Sequence, residues 1–393
     1  MLIRDTASLR RLCDEIRSAG IFVLDTEFIR ERTYSPRLCL VQVGVGSTFC
    51  AVDPFAELDL GPLFELVCDP AIETVVHAGR QDFEIVCART GRVPRRLFDT
   101  QIAAALAGLG EEVGLANLLE RTLGVQLSKI ETVTDWAQRP LTNAQLEYAI
   151  EDVRHLPRLR EHLRALLAEQ GRVEWLHEEH LWYEDPKSYE RDARAQALRF
   201  RGARSLSRRA LAALQELAEW REEEARRRDV PRNRVVSEET LVEMARRSPK
   251  SAADLRQVRG LHPNEIERGA PAILAAVERS RAVGEERLPA PPAGRSDDPD
   301  RALMVDFLEV LLRERARAGK IASGYLATRA QLGDLVDGHL EGREAIEAET
   351  GAPLPLLRGW RRELAGATLL RALSGEIALS IDPRSRTLRA TPG

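Results

Sequence analysis

The sequence predicts an α/β domain, a mixed sheet flanked by helices, followed by two small, mainly α-helical units. Three observations predict it. Short β-branched apolar runs alternate with longer helical patterns through the first half of the chain. At residues 191 to 209 the composition turns abruptly to arginine, seven Arg against one Asp, and strand patterns give way to helical ones. A Pro-rich, acidic stretch at 285 to 300, EERLPAPPAGRSDDPD, reads as an extended linker that separates a third unit. The expected division is therefore 1–195, 205–284, a linker at 285–300, and 301–393.

In order along the chain, IFVLD (21 to 25), LCLVQVGV (38 to 45) and TFCAVD (48 to 53) are apolar runs joined by short turns. They read as three adjacent strands. A helix near 60 to 68 precedes TVVHA (74 to 78), and a helix follows from about 80. Such a crossover makes the next strand parallel to its neighbour. From Thr142 the pattern is helical, with a capping box between Thr142 and Gln145 and a kink expected at Pro157. In the second unit a long helix runs through LAALQELAEWREEEARRR and breaks at Pro231. Further helices start near Ser237, Ser251 and Pro263. The third unit is helical, and its ending, GEIALSIDPRSRTLRATP, reads as a hairpin around Asp382, Pro383 and Arg384.

With 393 residues, at roughly 150 per domain, the chain is long enough for two or three cores. Lys plus Arg number 58 against 62 Asp plus Glu, so any attraction to nucleic acid must come from local clusters of cations. Aromatics at 5% argue against an aromatic-rich binding platform. The five cysteines contain no Cys-x-x-Cys pair, which fits a reduced cytoplasm and excludes a cysteine zinc site. The charged beginning, MLIRDTASLRRLCDE, is not a signal peptide, and no apolar run approaches the roughly 18 residues of a membrane span. A cytoplasmic protein is expected.

Asp25 and Glu27 close a buried strand, two positions apart, so both carboxylates point to one face. Alone, Asp-Thr-Glu also reads as a solvated strand end. Asp82 sits where a strand has just ended and a helix begins, the place where open α/β sheets bind ligands, although it also suits the helix dipole. Tyr148 and Asp152 lie four apart on one helix face. Four carboxylates gathered at one site would repel and raise one another's pKa unless multivalent cations neutralised them. All-oxygen ligation favours Mg²⁺ or Mn²⁺. His77, His155, His177 and His180 are read as structural.

The segments DTEFIRERTYSPRLCLVQVG, HAGRQDFEI, LFDTQIAAAL, GLANLLERTLGVQLSK, TDWAQRPLT and YAIED occur in this order. Together they resemble the ribonuclease D family, in the tyrosine-type branch of the DEDD exonucleases, which has the ribonuclease H-like fold. The second unit is similar to the HRDC domain and the third to the second helical C-terminal domain of that family. The resemblance implies a two-metal 3′→5′ exoribonuclease releasing nucleoside 5′-monophosphates, with tRNA precursors carrying 3′ extensions as partners. It implies that Asp25 bridges both metals, with Glu27 and Asp152 completing the water-holding site, Asp82 serving the second metal and Tyr148 orienting or deprotonating the water. Glu151, a further acid beside Asp152, should point about 100° away, outside the cluster. Phe28 is a candidate for packing on the terminal base, or is ordinary core.

Among the cations, Lys129 and Arg139 flank TDW within these motifs and are the expected RNA contacts. The run REEEARRRDVPRNR (221 to 234) mixes six Arg with four acids, so only Arg232 and Arg234 read as free for RNA. The arginine-rich junction either follows a phosphate backbone or is a solvated face. A DNA exonuclease and an inactive nucleic-acid-binding scaffold are the alternatives, the second opposed by the presence of all five site residues. All five precede residue 204, so the first unit is expected to be self-sufficient.

Overall fold

The computed structural model describes residues 1–127, 135–289, 298–347, 351–384 and 386–392. Lys129 and residues 290–297, half of the expected linker, lie outside the described residues. Among the described residues, six strands form one sheet: β1 (Leu2–Ile3), β2 (Ile21–Ile29), β3 (Arg37–Val45), β4 (Thr48–Val52), β5 (Glu73–Val76) and β6 (Leu97–Asp99). Their order is β1-β4-β3-β2-β5-β6. The meander β2-β3-β4 is antiparallel, whereas β5 joins β2 in parallel, as the crossover predicts. β1 and β6, of two and three residues, carry no periodicity that a sequence could reveal.

Helices cover both faces. They are α1 (Thr6–Ala19), α2 (Gly61–Val67), α3 (Arg80–Thr90), α4 (Thr100–Leu106), α5 (Leu115–Leu123), α6 (Asn143–Arg154), α7 (Leu156–Glu169) and α8 (Val173–Glu184). The predicted capping box opens α6: the Thr142 hydroxyl accepts from the Gln145 N–H, and the Gln145 side chain accepts from the Thr142 N–H. The expected kink at Pro157 is instead a break. α6 ends at Arg154, and Pro157 stands in the first turn of α7, where its missing N–H costs nothing.

The second unit comprises α9 (Ala193–Ala197), α10 (Arg208–Arg228), α11 (Arg232–Val235), α12 (Glu238–Arg247), α13 (Ala252–Leu255) and α14 (Pro263–Arg281). It has its own core, in which Leu211, Leu217, Trp220, Leu241 and Ile273 are buried together. The third unit holds α15 (Pro299–Ala318), α16 (Ser323–Leu326), α17 (Arg329–Leu340), α18 (Gly359–Arg361) and α19 (Ala367–Leu373). It closes with the predicted hairpin of β7 (Ile377–Asp382) and β8 (Thr387–Pro392).

The third unit is not self-contained. Leu308, Leu311, Leu332 and Trp360 share one continuous core with Leu106, Leu118, Leu159 and Leu163 of the first unit. Trp360 stacks on Trp175 with ring centroids 4.9 Å apart and donates from Nε1 to Glu179 at 2.8 Å. Arg172 donates to the carbonyls of Leu106 and Gly319, at 2.6 and 2.5 Å. The backbones approach so closely that a Cβ on Gly108, itself at φ +84°, would lie 2.4 Å from the Lys320 carbonyl oxygen. No helix among the described residues is long and apolar enough to cross a membrane.

Candidate active site

The acidic strand end is shaped by an irregular register. Asp25 pairs with Gln42 and Glu27 with Leu40, but Phe28 pairs with Leu38, so β3 carries an extra residue at Cys39. A bulge of this kind sharpens the local twist and re-aims side chains. Here it turns the end of β2 toward α6, where Tyr148 and Asp152 share one helix face. Oxygens of Asp25, Glu27 and Asp152 lie within 4.8 Å of one another.

Asp82 reaches the site by a different route. The turn from β5 into α3 places Ala78 at φ +58°, a conformation that a side-chain-bearing residue seldom adopts. It is held by Asp99, whose two carboxylate oxygens accept from the Ala78 and Gly79 N–H groups, each at 3.0 Å. Gly79 has no room for a side chain, because a Cβ there would meet Val76 Cγ2 at 2.5 Å. Asp99 also caps α4, accepting from the Gln101 N–H at 2.8 Å. Burial pushes the His180 imidazole down to about 4, and this neutral ring accepts from the Asp99 N–H at 3.2 Å. Thus the turn that launches α3, with buried Asp82 in its first turn, rests on Asp99 and His180. The Asp82 carboxylate accepts from the Thr26 hydroxyl, between Asp25 and Glu27 on β2. It stands beside the triple, outside its 4.8 Å cluster.

The electrostatics are those of an anion cluster without a counter-charge. Among the described residues, none of the four carboxylates has a cationic side chain within ion-pair distance. Burial, then Asp82, Asp152 and Glu27, raises the Asp25 carboxyl well above the usual range. Burial and the charges of Asp152 and Asp82 push Glu27 up to about 8. Burial and Glu151 bring Asp152 to about 7. Asp82 also rises to about 7 through burial, against the Thr26 hydrogen bond. Glu151 acts on Asp152 only through its charge and stands outside the carboxylate triple, as its helical position predicts. Tyr148 donates a hydrogen bond to Asp152, and burial with the surrounding carboxylates raises its phenol to about 12. The tyrosine therefore carries its proton at neutral pH. The buried Trp136 ring, 6.1 Å from that of Tyr148, packs behind it.

Hard oxygen donors converging without a cation are the donor set of Mg²⁺ or Mn²⁺, and these residues suit such ions. Gln42, fully buried directly across from Asp25, has no hydrogen-bond partner for either amide atom among the described residues. An orphaned amide beside uncompensated acids is the kind of strain that functional sites retain.

The cations nominated from sequence fare differently. Arg139 does not stand free for RNA: its guanidinium is held by buried Asp53 at 2.7 Å and by the carbonyls of Cys39 and Trp136. Its task is to pin the 135–142 loop, with Trp136, onto β3. Arg232 is not free either, because it forks onto Glu222, with Nη2 to Oε1 at 2.7 Å, and packs over the Tyr34 ring. Arg234 is exposed and has no partner among the described residues. Of the junction arginines, Arg208 and Arg209 donate to backbone carbonyls at 280–288 and so serve the fold. Phe28 is half-buried with the Arg30 guanidinium 5.2 Å from its ring centroid. Asp99, Thr26 and Gln42 were not singled out in the sequence. Asp99 lies inside LFDTQIAAAL, yet nothing in its local pattern announces that it holds a turn 20 residues away.

Residues 1–168 match the family described as 3′-5′ exonuclease, and residues 210–277 match the HRDC domain. The ribonuclease D of Granulibacter bethesdensis is 39% identical over 394 residues, spanning 99% of this chain and 96% of that protein. The ribonuclease D of Acidiphilium cryptum is 38% identical over 97% of this chain and 94% of its own. The crystal structure of Escherichia coli RNase D, described as an exoribonuclease involved in structured RNA processing, superimposes with a TM-score of 0.83 at 34% identity. That match covers 95% of this chain and 98% of the other.

Proposed function

The chain belongs to the ribonuclease D family, and from that premise we propose that it is a two-metal 3′→5′ exoribonuclease acting on the 3′ extensions of tRNA precursors. The observation that carries this reading is the uncompensated set of Asp25, Glu27 and Asp152, with Asp82 beside it and the hydroxyl of Tyr148 on Asp152. Asp25, Glu27, Asp82 and Asp152 would hold two Mg²⁺ or Mn²⁺ ions. When bound, such ions supply the acidity that makes water nucleophilic near neutral pH and the charge that stabilises a leaving 3′-oxygen.

The chain's own residues do the rest. Tyr148, protonated and donating its single O–H to Asp152, offers its phenol oxygen as an acceptor that orients the attacking water rather than as its base. Asp152 receives the Tyr148 hydrogen bond and so sets the direction of the phenol. Phe28, half-exposed beside Glu27, offers a face to the terminal base. Thr26 and Asp99 keep Asp82 aimed, by the hydroxyl and the turn respectively. Hydrolysis of the terminal phosphodiester leaves the phosphate on the released nucleoside as a 5′-monophosphate and a free 3′-hydroxyl on the shortened RNA.

A time course on a 3′-extended tRNA precursor, with a matched DNA strand, in Mg²⁺, Mn²⁺ or chelator, tests the reading. The expected result is stepwise release of 5′-monophosphates from the RNA, abolished by chelator. Internal cuts, chelator-resistant cleavage or a faster reaction on DNA would overturn it.

A further inference from the structure

With Arg139 and Arg232 consumed by the fold, cations with free hydrogen-bonding capacity lie elsewhere. A cleft of about 870 Å³ separates the first unit from the second, lined by Tyr34, Arg80, Glu84, Arg92, Arg191 and Arg226 among others. That volume falls within the ordinary range of ligand sites, about 300–1,000 Å³. It lies on the outer face of α3, opposite the buried Asp82, and an ion pair links that face to the end of β2. Arg80 and Glu84 flank Asp82 on α3, and Glu84 pairs at 2.7 Å with Arg30, three residues beyond Glu27. On the opposite side, Tyr34 is fastened to the second unit: its hydroxyl donates to Glu222, its N–H donates to Asp229 at 3.1 Å, and its ring packs against Arg226 and Arg232. The cleft is thus a formed feature between two docked bodies.

Its chemistry is that of a polyanion site with a stacking face. Four guanidiniums line it against the carboxylates of Glu84 and Glu190, and Glu84 is already held by Arg30 and Arg191. Arg80 and Arg92 have no carboxylate partner among the described residues, and Arg92 spends one N–H on the Cys68 carbonyl at 3.3 Å, leaving its others for a ligand. Arg80 lies over the ring of Trp182 at 4.6 Å, and Trp182 is 41% exposed, in contact with the cleft-lining Tyr189. Arg80 covers one face of the ring, so a base would stack on what that guanidinium leaves open, while the guanidinium itself, without a carboxylate partner, is open to a phosphate. A few aromatics placed by tertiary structure suffice for this, although the sequence shows no interleaved aromatic run.

We propose that this cleft binds the single-stranded RNA just upstream of the 3′ nucleotide under hydrolysis, with Arg80 and Arg92 on its phosphates and Trp182 stacked on a base. The proposal rests on the exonuclease reading and adds to it a site outside the acidic cluster. An acidic protein segment would satisfy the charges but leave the Trp182 face unexplained.

The test uses the full-length chain carrying Asp25→Asn to stop turnover, with a 5′-labelled single-stranded RNA of about 12 nucleotides, a length suited to such grooves. Anisotropy is read across a salt series. Replacing Arg80 and Arg92 together by Ala should weaken binding at least about tenfold and reduce the slope of log affinity against log salt by about 1.4, at about 0.7 per phosphate contact. Trp182→Ala should weaken binding by roughly 5- to 100-fold without changing that slope. The paired Lys replacements should keep the slope, separating lost charge from lost fold. In the Asp25-intact enzyme, the Arg80 and Arg92 replacements should leave hydrolysis of a dinucleotide, too short to reach the cleft, within about twofold of wild type. Unchanged affinity and slope in the Ala pair, or an equal loss on the dinucleotide, would overturn the cleft assignment. A wild-type enzyme that cut no RNA of any length would instead sink the nuclease reading, while the cleft would still be judged by anisotropy.

Discussion

Arg139 and Asp53 form one locked unit: two guanidinium nitrogens reach the same carboxylate, with Nη2 on Oδ1 at 2.7 Å and Nε on both oxygens at 3.1 Å. Burial alone would raise the Asp53 carboxyl, yet these bonds and the Phe55 N–H hold it below the usual range. Arg139→Ala leaves the buried Asp53 carboxylate with only the exposed Arg4, 3.6 Å away, as a cation and frees three backbone carbonyls, so the expected loss is about 2 to 3 kcal/mol of stability. RNA affinity of the still-folded protein at low temperature should be unchanged. Chemical denaturation and anisotropy on the same sample check both halves, and a drop in affinity with no drop in stability would restore the arginine to the RNA.

Tyr148→Phe removes only a hydroxyl. Because the phenol is protonated at neutral pH and donates to Asp152, the expected loss is in positioning the water, roughly 10²-fold in single-turnover rate. RNA binding should be retained. Relief of the phenol's hydrogen bond also removes a term that lowers the Asp152 pKa. An unchanged cleavage rate with weakened affinity would make the tyrosine a docking residue.

The acidic cluster dictates how the metal-free protein responds to pH. Glu27, raised to about 8, and Asp82 and Asp152, raised to about 7, all have folded-state values above those of an unfolded chain. A raised carboxyl contributes stability that is complete below its unfolded pKa and is lost as pH climbs through the folded one. In chelator, the unfolding temperature should therefore fall between about pH 5 and pH 8. Carboxylates held low by arginines, such as Asp53 and Glu222, act in the opposite direction but below that window. Mn²⁺ must displace the retained protons, so the stabilisation it gives should grow with pH over the same window. Asp25→Asn should abolish turnover, raise the metal-free unfolding temperature at pH 8 and flatten its pH dependence. Melting curves with Mn²⁺ or chelator across the window decide it, and a flat metal-free profile would contradict the assignment.

What could be read in advance follows from how local each signal is. β2, β3 and the crossover to β5 declare themselves through apolar runs, and the acids at their ends inherit a position from the strand. Asp99 supports the same site through two N–H bonds across a turn and one from its own N–H to His180. No periodicity reports such a partnership. Arg139 and Arg232 were visible as cations, but whether a guanidinium faces solvent depends on Asp53 and Glu222, brought up from 86 and 10 residues away. Trp182 reads from sequence as an aromatic in an ordinary helix, and only the fold shows it packed against Tyr189, which lines the cleft, with Arg80 over its ring.

The packing of the third unit weighs against the expectation that the first unit stands alone. Trp360 is 1% exposed, stacked on Trp175 and bonded to Glu179, and Leu308 and Leu311 lie in the same core as Leu106 and Leu163. Cutting the chain after residue 204 would uncover that apolar face and remove the Gly319 carbonyl that Arg172 engages. The truncated protein should aggregate, even though it retains Asp25, Glu27, Asp82, Tyr148 and Asp152. A milder probe is Trp360→Ala, which empties a large buried site at a cost of about 3 to 5 kcal/mol. Since the core is shared, the thermal transition that abolishes nuclease activity should shift down, by roughly 4 to 6 °C in a chain of this size. Residual activity after timed heating, followed beside calorimetry, makes the measurement. If Trp360→Ala lowered a separate calorimetric transition while activity survived to the wild-type temperature, the third unit would be an independent body and the shared core would contribute nothing to the catalytic domain.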